Sequence, residues 1–139
     1  KNINELKFRN GTKEALKFLS KKKINVIIVT NQAGISLNKL SLEKLNTIHG
    51  YIKNEFELIG LNLKMIIFCP HHWNDNCNCR KPKTGMFYDA QKLFDIDLTS
   101  TPFVGDQKSD KEASKAASVP FYNLQKRKSL LDVVKKIYK

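Results

Sequence analysis

All three cysteines of this chain and two of its three histidines fall between Cys69 and Cys79, and no other stretch constrains the fold so tightly. The order is Cys69-x-His71, five intervening residues, then Cys77-x-Cys79. Three thiols and an imidazole are donors that suit a tetrahedral zinc ion, and four protein ligands leave no open position for chemistry at the metal. Unrelated free thiols would rarely cluster so closely, so the spacing points to one structural Zn²⁺ held by Cys69, His71, Cys77 and Cys79. His72 is the alternative to His71 as the fourth ligand, because neighbouring side chains diverge. Pro70 with Asn74, Asp75, Asn76 and Asn78 places the ligands on a loop rather than in a helix or strand.

Directly after the last cysteine come Arg80, Lys81 and Pro82. A metal knot abutting two cations would fix them in space. Such a pair suits a phosphorylated ligand, since Arg grips phosphate through two hydrogen bonds and Lys acts as a point charge. A basic, solvated turn in a Lys-rich protein is the competing explanation.

The Lys-rich surface matters for the choice of partner. The formal net charge is +12, which would ordinarily suggest nucleic acid. Only Arg9, Arg80 and Arg127 of the 25 basic residues are arginine, however, and the lysines are spread along the whole chain. That pattern describes a general positive field drawing anionic small molecules, so no nucleic-acid partner is expected. No apolar run has transmembrane length and no signal-peptide pattern is present, so no membrane partner is expected either. Clustered, metal-like cysteines fit a reducing compartment; a cytoplasmic monomer is expected.

The remaining pattern alternates. Thr12 precedes a helix with Ala15, Leu16, Phe18 and Leu19 on its apolar face. Val26 to Val29 is a β-branched run of the kind found in strands buried on both faces, and it ends at the polar stretch Thr30 to Gly34. Leu42 to Ile59 reads as a long amphipathic helix stopped by Gly60. Lys64 to Phe68 is a strand with the cysteine loop at its carboxyl end. Thr84 is placed to cap a helix through Phe94. Phe103-Val104 forms a short strand before Gly105-Asp106, Ser109 to Ala117 a helix, Phe121-Tyr122 a strand and Leu130 to Tyr138 a final helix. This order predicts one α/β domain over residues 1–139, with a doubly wound, mostly parallel sheet and helices on both faces. Thr30, the cysteine loop with Lys81, and Asp106 all fall at strand ends, where ligands bind in such sheets.

Three segments in this order resemble the haloacid dehalogenase superfamily of phosphatases, within it the heptose-bisphosphate and histidinol-phosphate phosphatases. They are Val29-Thr30-Asn31-Gln32-Ala33-Gly34-Ile35, the Cys-x-His…Cys-x-Cys-Arg-Lys-Pro run, and Val104-Gly105-Asp106 with Asp110. The resemblance implies a Mg²⁺-dependent phosphatase acting on a small phosphorylated sugar, the heptose bisphosphate being favoured by Thr84-Gly85-Met86. It implies that Thr30 and Lys81 stabilise the transferring phosphoryl group and that Asp106 binds Mg²⁺. Asn31, Gln32, Arg80 and Gln107 would contact substrate. Asp110 would either support the metal from its outer shell or orient Lys81. The superfamily's first motif, a strand ending in Asp-x-Asp, carries its nucleophile and is not in this sequence. The chain is therefore expected to lack that strand and, as it stands, to be inactive; a zinc-stapled module that binds a phosphorylated ligand without turning it over is the alternative. Asp95-Ile96-Asp97 has the form of the motif but follows a helix, and is read as a loop.

Overall fold

The computed structural model describes residues 12–31, 41–71, 77–124 and 129–138. The elements alternate as the hydrophobic pattern predicts: α1 (Thr12–Lys21), β1 (Val26–Asn31), α2 (Leu42–Ile59), β2 (Leu63–Cys69), α3 (Gly85–Phe94), a 3₁₀ turn (Leu98–Ser100), β3 (Phe103–Gly105), α4 (Lys108–Ala116), β4 (Phe121–Asn123) and α5 (Leu130–Ile137). None of the described helices is long and apolar enough to cross a membrane.

The bounds have local causes. The Ser41 side chain accepts from the Lys44 N–H at 3.0 Å and opens α2. Gly60 closes it at φ 85°, a left-handed conformation that costs glycine little. Thr84 departs from expectation. It occupies the residue before α3, but its backbone is helical (φ −99°, ψ 0°) rather than extended, and its hydroxyl makes no capping bond.

The described residues form two compact units. The first contains α1, α2, α5 and the opening parts of β1 and β2, to Ile28 and Ile66. Its core gathers Ala15, Leu16 and Leu19 of α1, Phe56 of α2, Leu61, Leu63 and Val134 of α5. Each fully buried Leu or Phe contributes roughly 1.5–3 kcal/mol by leaving water.

The second unit holds the rest of both strands, the cysteine loop, α3, β3, α4 and β4. β3 and β4 are parallel, with Phe103 opposite Phe121 and Gly105 opposite Asn123. Phe87, Leu98, Ala113, Ala117 and Val119 form the core, and the Phe87 and Phe103 rings meet edge to face with centroids 4.9 Å apart.

The α/β arrangement of parallel strands and helices is the one expected. Among the described residues β1 pairs only with β2, and β3 only with β4, giving two separate two-stranded sheets. β1 is accordingly half-buried along its whole length rather than buried on both faces. A β-branched run marks a strand, but it carries no information about how many neighbours that strand has.

Candidate active site

Lys81 is the residue around which the second unit's polar groups converge. Its ammonium forms an ion pair with Asp110 and donates to the Val29 carbonyl of β1 at 3.3 Å. It also lies 5.5 Å from the centroid of the Phe103 ring. The Lys81 and Asp110 side chains are only 10% and 6% exposed, so solvent screens this pair weakly. Asp110 sits in the first turn of α4, and its second oxygen accepts from the Gln107 N–H at 3.1 Å. Gly105 makes room for it: a Cβ there would come within 2.6 Å of the Asp110 carboxylate.

Asn31, the last residue of β1, was expected to touch substrate. Its side-chain amide bonds the backbone of Lys81: Oδ1 accepts from the Lys81 N–H at 3.0 Å and Nδ2 donates to the Lys81 carbonyl at 3.4 Å. Thr30 precedes it, half-buried, with its hydroxyl 3.3 Å from the Asn31 carbonyl. Arg80 is half-buried and donates to the His71 carbonyl at 3.4 Å. Asp106 follows β3 directly and is exposed, as is Gln107 beside it. Gln32 and His72 lie outside the described residues.

Cys69, His71, Cys77 and Cys79 come together, with one donor atom of each lying within 4.8 Å of the others. His71 presents Nδ1, 3.4 Å from the Cys69 sulfur and 3.2 Å from that of Cys79. The Cys69 and Cys77 sulfurs are 3.6 Å apart. Tetrahedral zinc with Zn–S near 2.3 Å and Zn–N near 2.0–2.1 Å requires S···S of about 3.8 Å and S···N of about 3.5 Å, so these separations fit the ion. The sulfurs of Cys69 and Cys79 are in disulfide contact, their Cα atoms 5.6 Å apart, which the sequence reading did not anticipate. That Cα spacing suits either a disulfide or two ligands of one metal. A disulfide alone, however, gives no use to the imidazole and third thiol that also converge there.

The loop is braced from outside. Lys83 Nζ donates to the Cys77 carbonyl, and the Gly85 N–H donates to the Asn78 carbonyl at 3.0 Å. A Cβ on Gly85 would stand 2.9 Å from the Cys79 Cα, closer than side-chain carbons come to backbone. Gly85→Ala is therefore expected to cost about 1–3 kcal/mol by overpacking. It should also weaken metal retention by the loop, measured as denaturant midpoint and zinc content; wild-type values for both would show that the close approach is not needed.

Asp95 and Asp97 lie in the turn that follows α3, as expected. Asp95 closes α3 at φ 51°, and Asp97 caps the 3₁₀ turn. The hydroxyl and N–H of Thr99 both bond Asp97 and hold its carboxyl below the usual range. A cavity of about 520 Å³ lined by Lys53, Glu57, Gly60, Leu61, Asn62, Leu63 and Lys64 includes none of the expected site residues. Sequence reading missed the Val29 carbonyl and the Gly105 and Gly85 clearances; glycine beside an expected ligand was the one available signal.

The family model for polynucleotide kinase 3 phosphatase matches residues 2–129. D-glycero-beta-D-manno-heptose-1,7-bisphosphate 7-phosphatase of Vibrio cholerae is 33% identical over 123 residues, which cover 84% of this chain and 66% of that one. The enzyme of the same name from Rhodopseudomonas palustris is 31% identical over 127 residues, 86% of this chain and 71% of its own length. The chain thus spans about two thirds of the length of these relatives. A crystal structure of D,D-heptose bisphosphate phosphatase from B. bronchiseptica, complexed with magnesium and phosphate, superposes with a TM-score of 0.88. It is 26% identical, and the match covers 99% of this chain and 87% of that one. A family model that fits nearly every residue, beside a relative more than 30% identical over most of its length, means that the chain belongs to the polynucleotide kinase 3 phosphatase family of the haloacid dehalogenase superfamily.

Proposed function

We propose that this protein is a Mg²⁺-dependent phosphatase that removes the 7-phosphate of D-glycero-D-manno-heptose 1,7-bisphosphate. The observation that carries the reading is the placement of Lys81: Val29 and Asp110 hold its weakly exposed ammonium, and Asn31 holds its backbone at the end of β1. Phosphoryl transfer spreads negative charge over three oxygens, so catalysis is mostly positioning and neutralisation, and a fixed ammonium supplies both. The Thr30 hydroxyl, on the residue before Asn31 at the end of β1, donates to the same phosphoryl group. Arg80, Gln32 and Gln107 contact the sugar phosphate.

Asp106 is the Mg²⁺ ligand. A hard cation takes oxygen donors, and this carboxylate is exposed directly past β3 while Asp110 is committed to Lys81. Bound Mg²⁺ would neutralise charge on the phosphoryl oxygens. The attacking carboxylate is that of the superfamily's Asp-x-Asp motif. It displaces the sugar oxygen, which takes a proton from the second carboxyl of that motif; the same carboxylate then takes a proton from water, which breaks the aspartyl–phosphate bond and releases phosphate. Zn²⁺ on Cys69, His71, Cys77 and Cys79 has no catalytic step; it fixes the loop that ends in Arg80 and Lys81. Reduced thiols at that site suit the cytoplasm, and a monomer suffices for the chemistry.

The test is turnover by the full-length protein, with Mg²⁺, of the heptose bisphosphate, histidinol phosphate and a 3′-phosphorylated oligonucleotide. The heptose compound is expected to have the highest kcat/KM. Preference for histidinol phosphate would move the substrate while keeping the chemistry. Preference for the oligonucleotide would favour the nucleic-acid reading that the family description and the net charge allow. Binding of all three without turnover would leave a ligand-binding module.

A further inference from the structure

We propose that Asn31 is a positioning residue that acts on catalysis only through the backbone of Lys81; this rests on the phosphatase reading of Lys81 given above. The side-chain amide of Asn31 carries an acceptor and a donor in the same plane, as a peptide group does. Both are directed at one residue fifty positions away, the acceptor at its N–H and the donor at its carbonyl. The amide therefore continues the hydrogen bonding of β1 by one step past its last backbone group and fastens the cysteine loop's exit to the strand.

Two residues earlier, the carbonyl of Val29 takes the Lys81 ammonium. The end of β1 thus holds Lys81 at both ends, main chain and Nζ. Without the amide, Asp110 and Val29 still anchor the ammonium, but the Cα from which the side chain springs is free to shift. Near-attack geometry is intolerant of such shifts: a displacement of about 1 Å can cost roughly a hundredfold in rate. Few other side chains offer this bond pair at this reach. Asp keeps the acceptor and loses the donor, and Leu keeps the shape and loses both.

The experiment is a double-mutant cycle in the full-length protein, with heptose bisphosphate and Mg²⁺ as the assay. The variants are Asn31→Leu, Lys81→Ala and the pair, with Asn31→Asp as a second probe if the Leu variant fails to fold by its melting curve. Asn31→Leu is expected to lower kcat about tenfold to a hundredfold with KM changed much less, and to add no further loss in the Lys81→Ala background. Asn31→Asp, retaining one bond of the two, should also lose nothing further when Lys81 is Ala. Losses that multiply, or a raised KM at unchanged kcat, would mean that Asn31 touches substrate directly and would overturn the inference while leaving the phosphatase reading intact. Full turnover by Lys81→Ala alone would overturn that reading, and this inference with it.

Discussion

Replacing Asp110 by Asn is expected to destabilise the protein by roughly 3–5 kcal/mol, the range for removing one partner of a buried ion pair. The cost lies in the ammonium left without a counter-charge: Lys81 is 10% exposed and, among the described residues, would keep the Val29 carbonyl and a neutral amide oxygen as acceptors but no carboxylate. The Asp110 carboxylate also accepts from the Gln107 N–H, so the start of α4 loosens with it. An ammonium that has lost its orientation should lower kcat by about 10²–10³, as for other groups that stabilise a transition state electrostatically. Asp106→Asn is the informative comparison. Asp106 is exposed, so its loss should cost less stability than that of the weakly exposed Asp110, yet turnover should fall and require more Mg²⁺. Urea unfolding and Mg²⁺ titration of the two variants separate the roles. Asp110→Asn with wild-type stability would show that the pair seen here is not maintained in solution.

Full-length protein purified under reducing conditions should contain one zinc per chain, and Cys77→Ser should lose it together with about 10 °C of melting temperature, roughly 2–3 kcal/mol for a domain of this size. The effect is set well below the roughly 10–16 kcal/mol that zinc contributes to isolated fingers, because here only a loop depends on the ion. Cys77 is the discriminating position. It is the cysteine outside the Cys69–Cys79 contact, so a disulfide-stapled loop would tolerate Ser there and a four-ligand metal site would not. Loss of the ion should also lower kcat, since Arg80 and Lys81 follow the last ligand directly. Protein free of zinc, lighter than its reduced mass by two hydrogens and indifferent to Cys77→Ser, would establish the disulfide in place of the metal.

The sequence by itself determined the alternation of elements, the bounds of the long helix and the membership of the cysteine–histidine cluster. Each depends on signals within a few residues: Ser41 and Gly60 cap α2 through their own neighbours, and Cys69, at the end of β2, lies within eleven positions of His71, Cys77 and Cys79, where short spacing brings the four together. Asp95 and Asp97 were legible as a turn for the same reason, because a helix ends immediately before them. Tertiary structure decided the rest. That Asp110 faces Lys81, that the Asn31 amide is engaged by a backbone fifty residues away, and that Gly105 and Gly85 leave room for Asp110 and Cys79 all depend on which elements meet. The division into two two-stranded sheets belongs here too, since an apolar run specifies a strand but not its neighbours. Hydrogen-bond and ion-pair geometry acts over about 3 Å of space whatever the separation along the chain, and pattern in the sequence reports only on the chain.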